Sequence, residues 1–263
     1  MNGLLIYSKG DLKKNKSYIT WFIEEAQKRN ITIDLITDEQ ILLDGYHATQ
    51  VIDFVINRSR SYEVALLFEL NNVRVFNNSM ITLIGNNKLA AYAYAKEKGY
   101  TFPKILIDYS SESQILIKPN TGHGGESIDL INNIEALPAT RRIKQKFISN
   151  LVGDIRFYII NNEIVSAVLR SSDDKIVSNY SQGGNFQVYN YSKSEEIYVE
   201  MFMQGDNFDY VGLDFFLTKK GKLIFNEVED VVGSRMLSAL GINNTTELYL
   251  EHIHNTISNY NSK

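Results

Sequence analysis

The sequence predicts an α/β N-terminal domain followed by an α+β region. Three observations carry this. Over about residues 1–76, short apolar strands alternate with amphipathic helices on short connections, which is the pattern of a parallel α/β unit. Beyond it, DIRFYII-NN-EIVSAVLR at 154–170 and VGLDFFL-TKKG-KLIFNEVE at 211–229 both read as antiparallel hairpins. Finally, 263 residues that are 44% hydrophobic suffice for one to two domains with a sizeable core.

The elements follow in order. GLLIY at 3–7 reads as a buried strand, and residues 17–28 place Ile19, Phe22, Ile23 and Ala26 at helical spacing. ITIDLIT at 31–37 and VIDFVINR at 51–58 are further strands, the second ending at a polar tip. Tyr62 to Leu70 suggests a helix and VRVFN at 73–77 a short strand. NKLAAYAYAKEKG at 87–99 is a helix stopped by Gly99. Pro103 opens a strand PKILI, and QILIKP at 114–119 is a strand ending at Pro119, followed by the glycine-bearing loop NTGHGGES. ESIDLI returns toward the sheet, and RIKQKFIS at 142–149 reads as strand and connector. NYSQGGNFQVY at 179–189 is a loop running into a short strand, SEEIYVEMFMQ at 194–204 a helix, and TTELYLEHIHNTI at 245–257 a terminal amphipathic helix.

Composition removes several classes of chemistry. With no Cys there is no disulfide framework, cysteine nucleophile or thiolate metal site, and four His leave little for a histidine-rich one. A net charge of −4, from 27 Lys+Arg against 31 Asp+Glu, argues against a general nucleic-acid binder. The basic run at 141–146 alternates with Ile143, Gln145 and Phe147, as a strand edge does. No apolar run approaches the ~20 residues of a membrane helix, and the start lacks the pattern of a secretory leader. The expectation is a cytoplasmic protein without nucleic-acid or membrane partners, with a homo-oligomer left open.

The strongest local signal is the acidic hairpin. With the turn at 218–221, Leu217 faces Lys222, Asp214 lies opposite Phe225, and Glu227 is its diagonal neighbour. Strand alternation then puts Asp214, Glu227 and Glu229 on one face. Like charges so placed raise one another's pKa values unless a cation or Arg compensates, and carboxylates are natural ligands for Mg2+ beside phosphate. A solvated hairpin edge is the competing reading, and a one-residue shift of the turn would send Asp214 to the other face.

Lys118 ends an apolar strand just before Thr121-Gly122-His123-Gly124-Gly125. Small residues let backbone N–H groups approach phosphate, and the lysine adds a point charge. The segment is neither GxxxxGK[ST] nor GxGxxG, so a surface turn with His123 as a polar loop residue is the alternative. Arg156 and Arg170 lie in apolar strands and need anions. These are either an internal carboxylate such as Asp154 or a bound phosphate or carboxylate. Asn179 and Gln182-Gly183-Gly184 form a polar loop, and Lys88 alone reads as a solvated residue preceding a helix.

Taken in order, FNNSMITLIGNNKLAAYAYAKEKGYTFPK, ILIKPNTGHGGESI, KQKFI, GDIRFYIINNEIVSAVLR, SNYSQGG and VGLDFFLTKKGKLIFNEVED resemble the ATP-grasp superfamily. The likeness is greatest to the RimK-like carboxylate-amine ligases related to ribosomal-protein glutamate ligase and glutathione synthetase, and it spans nearly the whole chain. It implies an N-terminal α/β domain over 1–76 and an ATP-grasp region over 77–263, divided into two α+β lobes at about 89–147 and 148–263. It also implies ATP with Mg2+ or, in its stead, Mn2+.

By that resemblance Lys88 and Lys118 contact ATP phosphates and Gly122, Gly124 and Gly125 belong to a glycine-rich flap. Gln145, Lys146, Phe147 and Ile148 line adenine, partly through backbone groups. Arg156 and Arg170 position acyl substrate or phosphate, Asn179 matches the Asn before the Gly-Gly loop, and Asp214, Glu227 and Glu229 fall on the metal positions. The implied reaction is ligation of a carboxylate to an amine through an acylphosphate, on a small-molecule, amino-acid or peptide substrate. The alternatives are a non-catalytic nucleotide-binding or scaffold protein and a small-molecule phosphotransferase. The chain departs from the family pattern at Lys146, where Glu is usual; at Asn87, where Asp is usual; and at Glu229, where Asn is usual. The segment VVGSRML lacks the usual Asn-x-x-Pro-Gly character, so acceptor specificity does not carry across.

Overall fold

The computed structural model describes residues 1–46, 51–108, 112, 114–122, 128–132, 142–171 and 185–260. Strands β1 (Asn2–Tyr7), β2 (Thr32–Thr37), β3 (Phe54–Arg58) and β4 (Arg74–Phe76) form a parallel sheet in the order β2-β1-β3-β4. Helix α2 (Lys16–Gln27) buries Ile19, Phe22 and Ala26, the stripe its spacing predicts. Helix α4 (Tyr62–Glu69) starts where the Ser61 side chain accepts from the Val64 N–H. Two short helices go beyond the sequence reading. These are α1 (Lys9–Lys14), which buries no residue, and α3 (Asp38–Asp44), which starts with a Thr37/Gln40 capping box and buries only Ile41. Neither is long enough to display an apolar period.

After the parallel sheet come α5 (Ser79–Asn86) and α6 (Lys88–Glu97), the latter capped by the Asn87 side chain. A three-stranded antiparallel sheet follows, β5 (Ile115–Lys118), β6 (Asp129–Ile131) and β7 (Ile143–Lys146), in the order β6-β5-β7. The strand expected at Pro103 does not form. Ile105 makes a single bridge to Gln145 and Leu106 is buried against Ile115 and Ile117, but Ile107 is fully exposed and pairing with β7 goes no further.

The third sheet has the order β10-β9-β8-β11-β12 and is antiparallel throughout. It comprises β8 (Leu151–Ile160), β9 (Glu163–Ser171), β10 (Asn185–Val188), β11 (Tyr210–Thr218) and β12 (Leu223–Glu229). Asn161 and Asn162, at φ 53° and 60°, make the tight β8–β9 turn that two consecutive left-handed residues permit. Helix α7 (Lys193–Met203) packs its Val199, Phe202 and Met203 into an aromatic-rich core with Phe157, Phe215 and Phe225. Helices α8 (Arg235–Ala239) and α9 (Thr245–Tyr260) close the chain. Tyr249, Leu250, Ile253 and Ile257 of α9 enter a core that also holds Leu5, Tyr7 and Phe54 of the parallel sheet and Tyr158 and Tyr210 of the large one. A single apolar cluster therefore fastens the parallel sheet to the second half of the chain.

The β11–β12 hairpin corrects the expected register. Leu217 pairs with Leu223 rather than Lys222, because the Thr218 N–H and hydroxyl both bond the Lys222 carbonyl and close the turn one residue wider. Phe215 pairs with Phe225, and a bulge between Asp214 and Phe215 then sets Asp214 opposite Glu227. The extra residue is Asn226. Without it the wider turn would have put Glu227 on the opposite face from Asp214.

Candidate functional site

One face of the large sheet carries a ladder of charge across four strands. On β8 and its neighbours Asp154 pairs with Arg170 and Arg156 with Asp214, and Asp214 in turn lies opposite Glu227. Arg156 grips Asp214 in a two-pronged contact, Nε to Oδ1 at 2.8 Å and Nη2 to Oδ2 at 2.7 Å, and lies 3.5 Å from Glu229 Oε2. Arg170 donates to Asp214 Oδ2 at 2.5 Å and to Asp154. Asp214 is fully buried. Burial alone would raise its pKa, but the two guanidinium groups outweigh that and hold the carboxyl below the usual range. Gly212, facing Glu229, leaves the space this needs, since a Cβ there would meet Arg156 Cδ at 3.0 Å. The anions that Arg156 and Arg170 require are therefore supplied first from within the sheet.

Glu227 has no such counter-charge. Burial, then the charges of Asp214 and Glu229, push its pKa up, and Lys88 and Lys118 pull it back. Lys88 is itself held down by burial, with Glu227 opposing and Lys118 adding to the effect. The Lys88 ammonium donates to the Gly122 carbonyl at 2.6 Å. Lys118, buried at the end of β5, donates to the Tyr92 hydroxyl at 2.7 Å, and Gln145 donates to the same oxygen at 3.1 Å. Tyr92 was not singled out in the sequence, where its helical spacing marks it only as core. Among the described residues no group of three or more His, Asp and Glu converges as a ready-made metal cage. Asp214 already accepts three hydrogen bonds from two arginines, so Glu227 and Glu229 have more lone pairs left to offer a cation.

The structure thus brings together Lys88, Lys118, Gly122 and Gln145 from one side and Arg156, Arg170, Asp214, Glu227 and Glu229 from the other. Lys146 points elsewhere, exposed and ion-paired to Glu112 at 3.0 Å. Phe147 and Ile148 are half-buried in the connector after β7. His123, Gly124, Gly125, Asn179, Gln182, Gly183 and Gly184 lie outside the described residues.

Asp230, next to the site, is buried with neither carboxyl oxygen hydrogen-bonded among the described residues. It packs so closely on α5 that a Cβ at Gly85 would lie 2.7 Å from its own Cβ. Burial, and then the Glu229 charge, raise its pKa to about 7. Between the ordinary carboxylate value of about 4 and that figure, the folded protein keeps a proton the unfolded chain has lost. Stability therefore falls as pH rises through this window and levels off above it. Asp230→Asn is expected to flatten that slope and to gain on the order of 3 kcal/mol over the parent at pH ~8 relative to pH ~5. Urea unfolding of metal-free protein across this range checks it, and parallel profiles for the two proteins would refute it.

A cleft of about 700 Å3 opens beside the ladder, between the parallel sheet and the hairpin end of the large one. Arg156, Arg170, Glu227 and Glu229 line one wall, while Lys14, Arg58 and Arg60 come from the parallel-sheet side. In the sequence Arg58 and Arg60 show only as part of a polar tip at the end of β3. The signal was available, because ligands of parallel sheets gather at the carboxyl ends of the strands, and Arg58 ends β3.

Residues 87–252 match the RimK-like ATP-grasp domain. An uncharacterised Mycoplasma pneumoniae protein, the MG011 homolog, is 27% identical over 90% of this chain and 86% of its own length. Among solved structures, the D-alanine–D-alanine ligase of Bacillus anthracis superposes with a TM-score of 0.72 at 12% identity, covering 99% of each chain. The ATP-grasp ligase PsnB, in complex with a phosphomimetic variant of its minimal precursor, Mg and ADP, superposes with a TM-score of 0.69 at 14% identity, covering 96% of this chain and 97% of its own. These structural likenesses bear out the expected ATP-grasp fold. No helix among the described residues is long and apolar enough to cross a membrane.

Proposed function

The chain belongs to the RimK-like ATP-grasp family, and on that premise we propose that it joins a carboxylate to an amine at the expense of ATP, through an acylphosphate. The observation that carries this is Glu227. It is a carboxylate raised by burial and by two neighbouring carboxylates, and the lysines that offset it come from the other side of the site. Such a group is suited to a divalent cation clasped against phosphate. Glu227 and Glu229 would hold Mg2+, as supported by the PsnB complex with Mg and ADP. When bound, the ion neutralises charge on the transferring phosphate.

Lys88 and Lys118 would lie against the phosphates, Lys118 kept in place by Tyr92. Gln145, Lys146, Phe147 and Ile148 would border adenine, with Gln145 turned inward and the backbone of the others facing the base. Asp214 would act by fixing Arg156 and Arg170, both of which line the cleft. In the reaction the substrate carboxylate oxygen bonds to the γ-phosphorus as the bond to ADP breaks. The amine nitrogen then attacks the acyl carbon, phosphate leaves with the bonding pair, and the amine loses a proton. Arg156 and Arg170 would stabilise the charge that develops on acyl and phosphoryl oxygens.

The test is to incubate the protein with ATP, Mg2+ and paired acids and amines, and to follow ADP, phosphate and product mass. Amide, ADP and phosphate in equal amounts are expected. AMP in place of ADP would overturn the mechanism, a phosphoester product would identify a phosphotransferase, and nucleotide binding without product across the screen would favour the scaffold alternative.

A further inference from the structure

We propose that the acid taken by this site carries a second anionic group, a carboxylate or phosphate, held at the parallel-sheet end of the cleft by Lys14, Arg58 and Arg235. This rests on the ligase reading and adds the class of substrate to it.

The charge balance of the cleft leads there. Arg60 is paired with Asp11, and Arg156 and Arg170 are largely neutralised by Asp214 and Asp154. Three cations lining the cleft remain without a carboxylate partner among the described residues: Lys14, Arg58 and Arg235. Arg58 is the telling one, because it is only 8% exposed. Its Nε donates to the Tyr7 hydroxyl at 2.8 Å and its Nη2 to the Val232 carbonyl at 3.0 Å, so both recorded acceptors are neutral. The Tyr7 and Tyr18 rings lie 5.8 and 5.5 Å from its Cζ, and no carboxylate among the described residues reaches ion-pair distance, so the guanidinium keeps positive charge to offer the cleft. Lys14 and Arg235 are exposed at the rim and add mobile charge to the same end. Glu227 and Glu229 stand at the opposite wall, where Mg2+ and the lysines would answer them.

Topology explains why the cations are there. The chain leaves β1 toward β2 on one side and returns to β3 on the other, so β1 and β3 flank the point where the strand order reverses. The crevice outside the carboxyl ends of two such strands is the natural binding place of an open parallel sheet. Tyr7 and Arg58 are the residues at those ends. A ligand spanning from there to Arg156 and Arg170 meets uncompensated positive charge at the parallel-sheet end and guanidinium donors already held by carboxylates at the other. One acid group would react at the ladder end while the other is anchored at Arg58.

The experiment is calorimetric titration of the nucleotide-free protein with butyrate, glutarate and phosphonobutyrate. At least one of the two dianions is expected to bind about 10-fold or more tighter than butyrate. Which of them binds tighter tells whether the second group is carboxylate or phosphate. Lys14→Gln combined with Arg235→Gln, both at exposed positions, is expected to erase that preference. Lys219→Gln combined with Lys220→Gln removes equal charge on the far hairpin turn and is expected to keep it. Equal binding of mono- and dianions, or a preference that survives the Lys14/Arg235 change, would overturn the proposal. Because this readout needs no turnover, failure of ligation leaves it intact. Ligation confined to simple monoacids would sink the second-anion proposal alone.

Discussion

Asp214→Ala is expected to destabilise the fold by about 3–5 kcal/mol, because it strands two buried guanidinium groups. Arg156 would keep only a contact of 3.5 Å to Glu229, and Arg170 only Asp154. Asp214→Asn, which retains an acceptor and the shape, is expected to lose less. Urea unfolding at neutral pH measures both, and a loss under about 1 kcal/mol for the alanine variant would contradict the ladder as described. The parent carries a pH signature of the same interaction. Its folded pKa is depressed, so the stabilisation is present above the unfolded carboxyl value of about 4 and is lost as pH falls through the folded value. The alanine variant should therefore unfold less steeply in acid than the parent.

Glu227→Gln should separate stability from activity. The parent holds a half-buried carboxylate whose pKa is raised by desolvation and by Asp214 and Glu229. The neutral isostere relieves that repulsion, so the metal-free variant is expected to melt higher than the metal-free parent. Turnover under the proposed reaction should fall by about 100-fold or more. The stabilisation that Mg2+ and ADP confer on the parent should shrink with it. Thermal scans with and without Mg2+ and ADP, beside ADP-release rates, give all three quantities. A variant that melts lower than the parent without metal would show that Glu227 is structurally paired after all.

The ladder was partly legible in the sequence, and the limits of that reading are physical. Two Asn between apolar runs announce a tight turn through their tolerance of left-handed backbone, and β8–β9 turns there. Arg in an apolar strand signals a missing anion, although only the pairing of β8 with β11 shows that Asp214 is the main one. Alternation correctly grouped Asp214, Glu227 and Glu229, but by a route the structure corrects. The turn is wider than read and a bulge restores the face, and neither leaves a mark in hydrophobic periodicity. Arg58 escaped because it stands in a polar strand tip, Asn57 to Ser61, that reads as solvated, and Tyr92 because its helical spacing already has an explanation as core. Their roles arise from non-local partners, Val232 for one and Lys118 for the other.

The three-stranded sheet rests on Leu106, Ile115 and Ile117, with Ile131 against them, whereas Tyr92 on α6 belongs to the large aromatic core. So small an apolar cluster makes this sheet open at a lower free-energy cost than either of the other two. The hydroxyl of Tyr92, receiving Lys118 and Gln145 together, rivets that loose flank to the rigid body. Under the proposed function, nucleotide lodged against Lys118 would add its binding free energy to this least protected segment. The integrity of the sheet would then track the ATP supply, and starvation for ATP would expose β5 to β7 before either of the other sheets unravels.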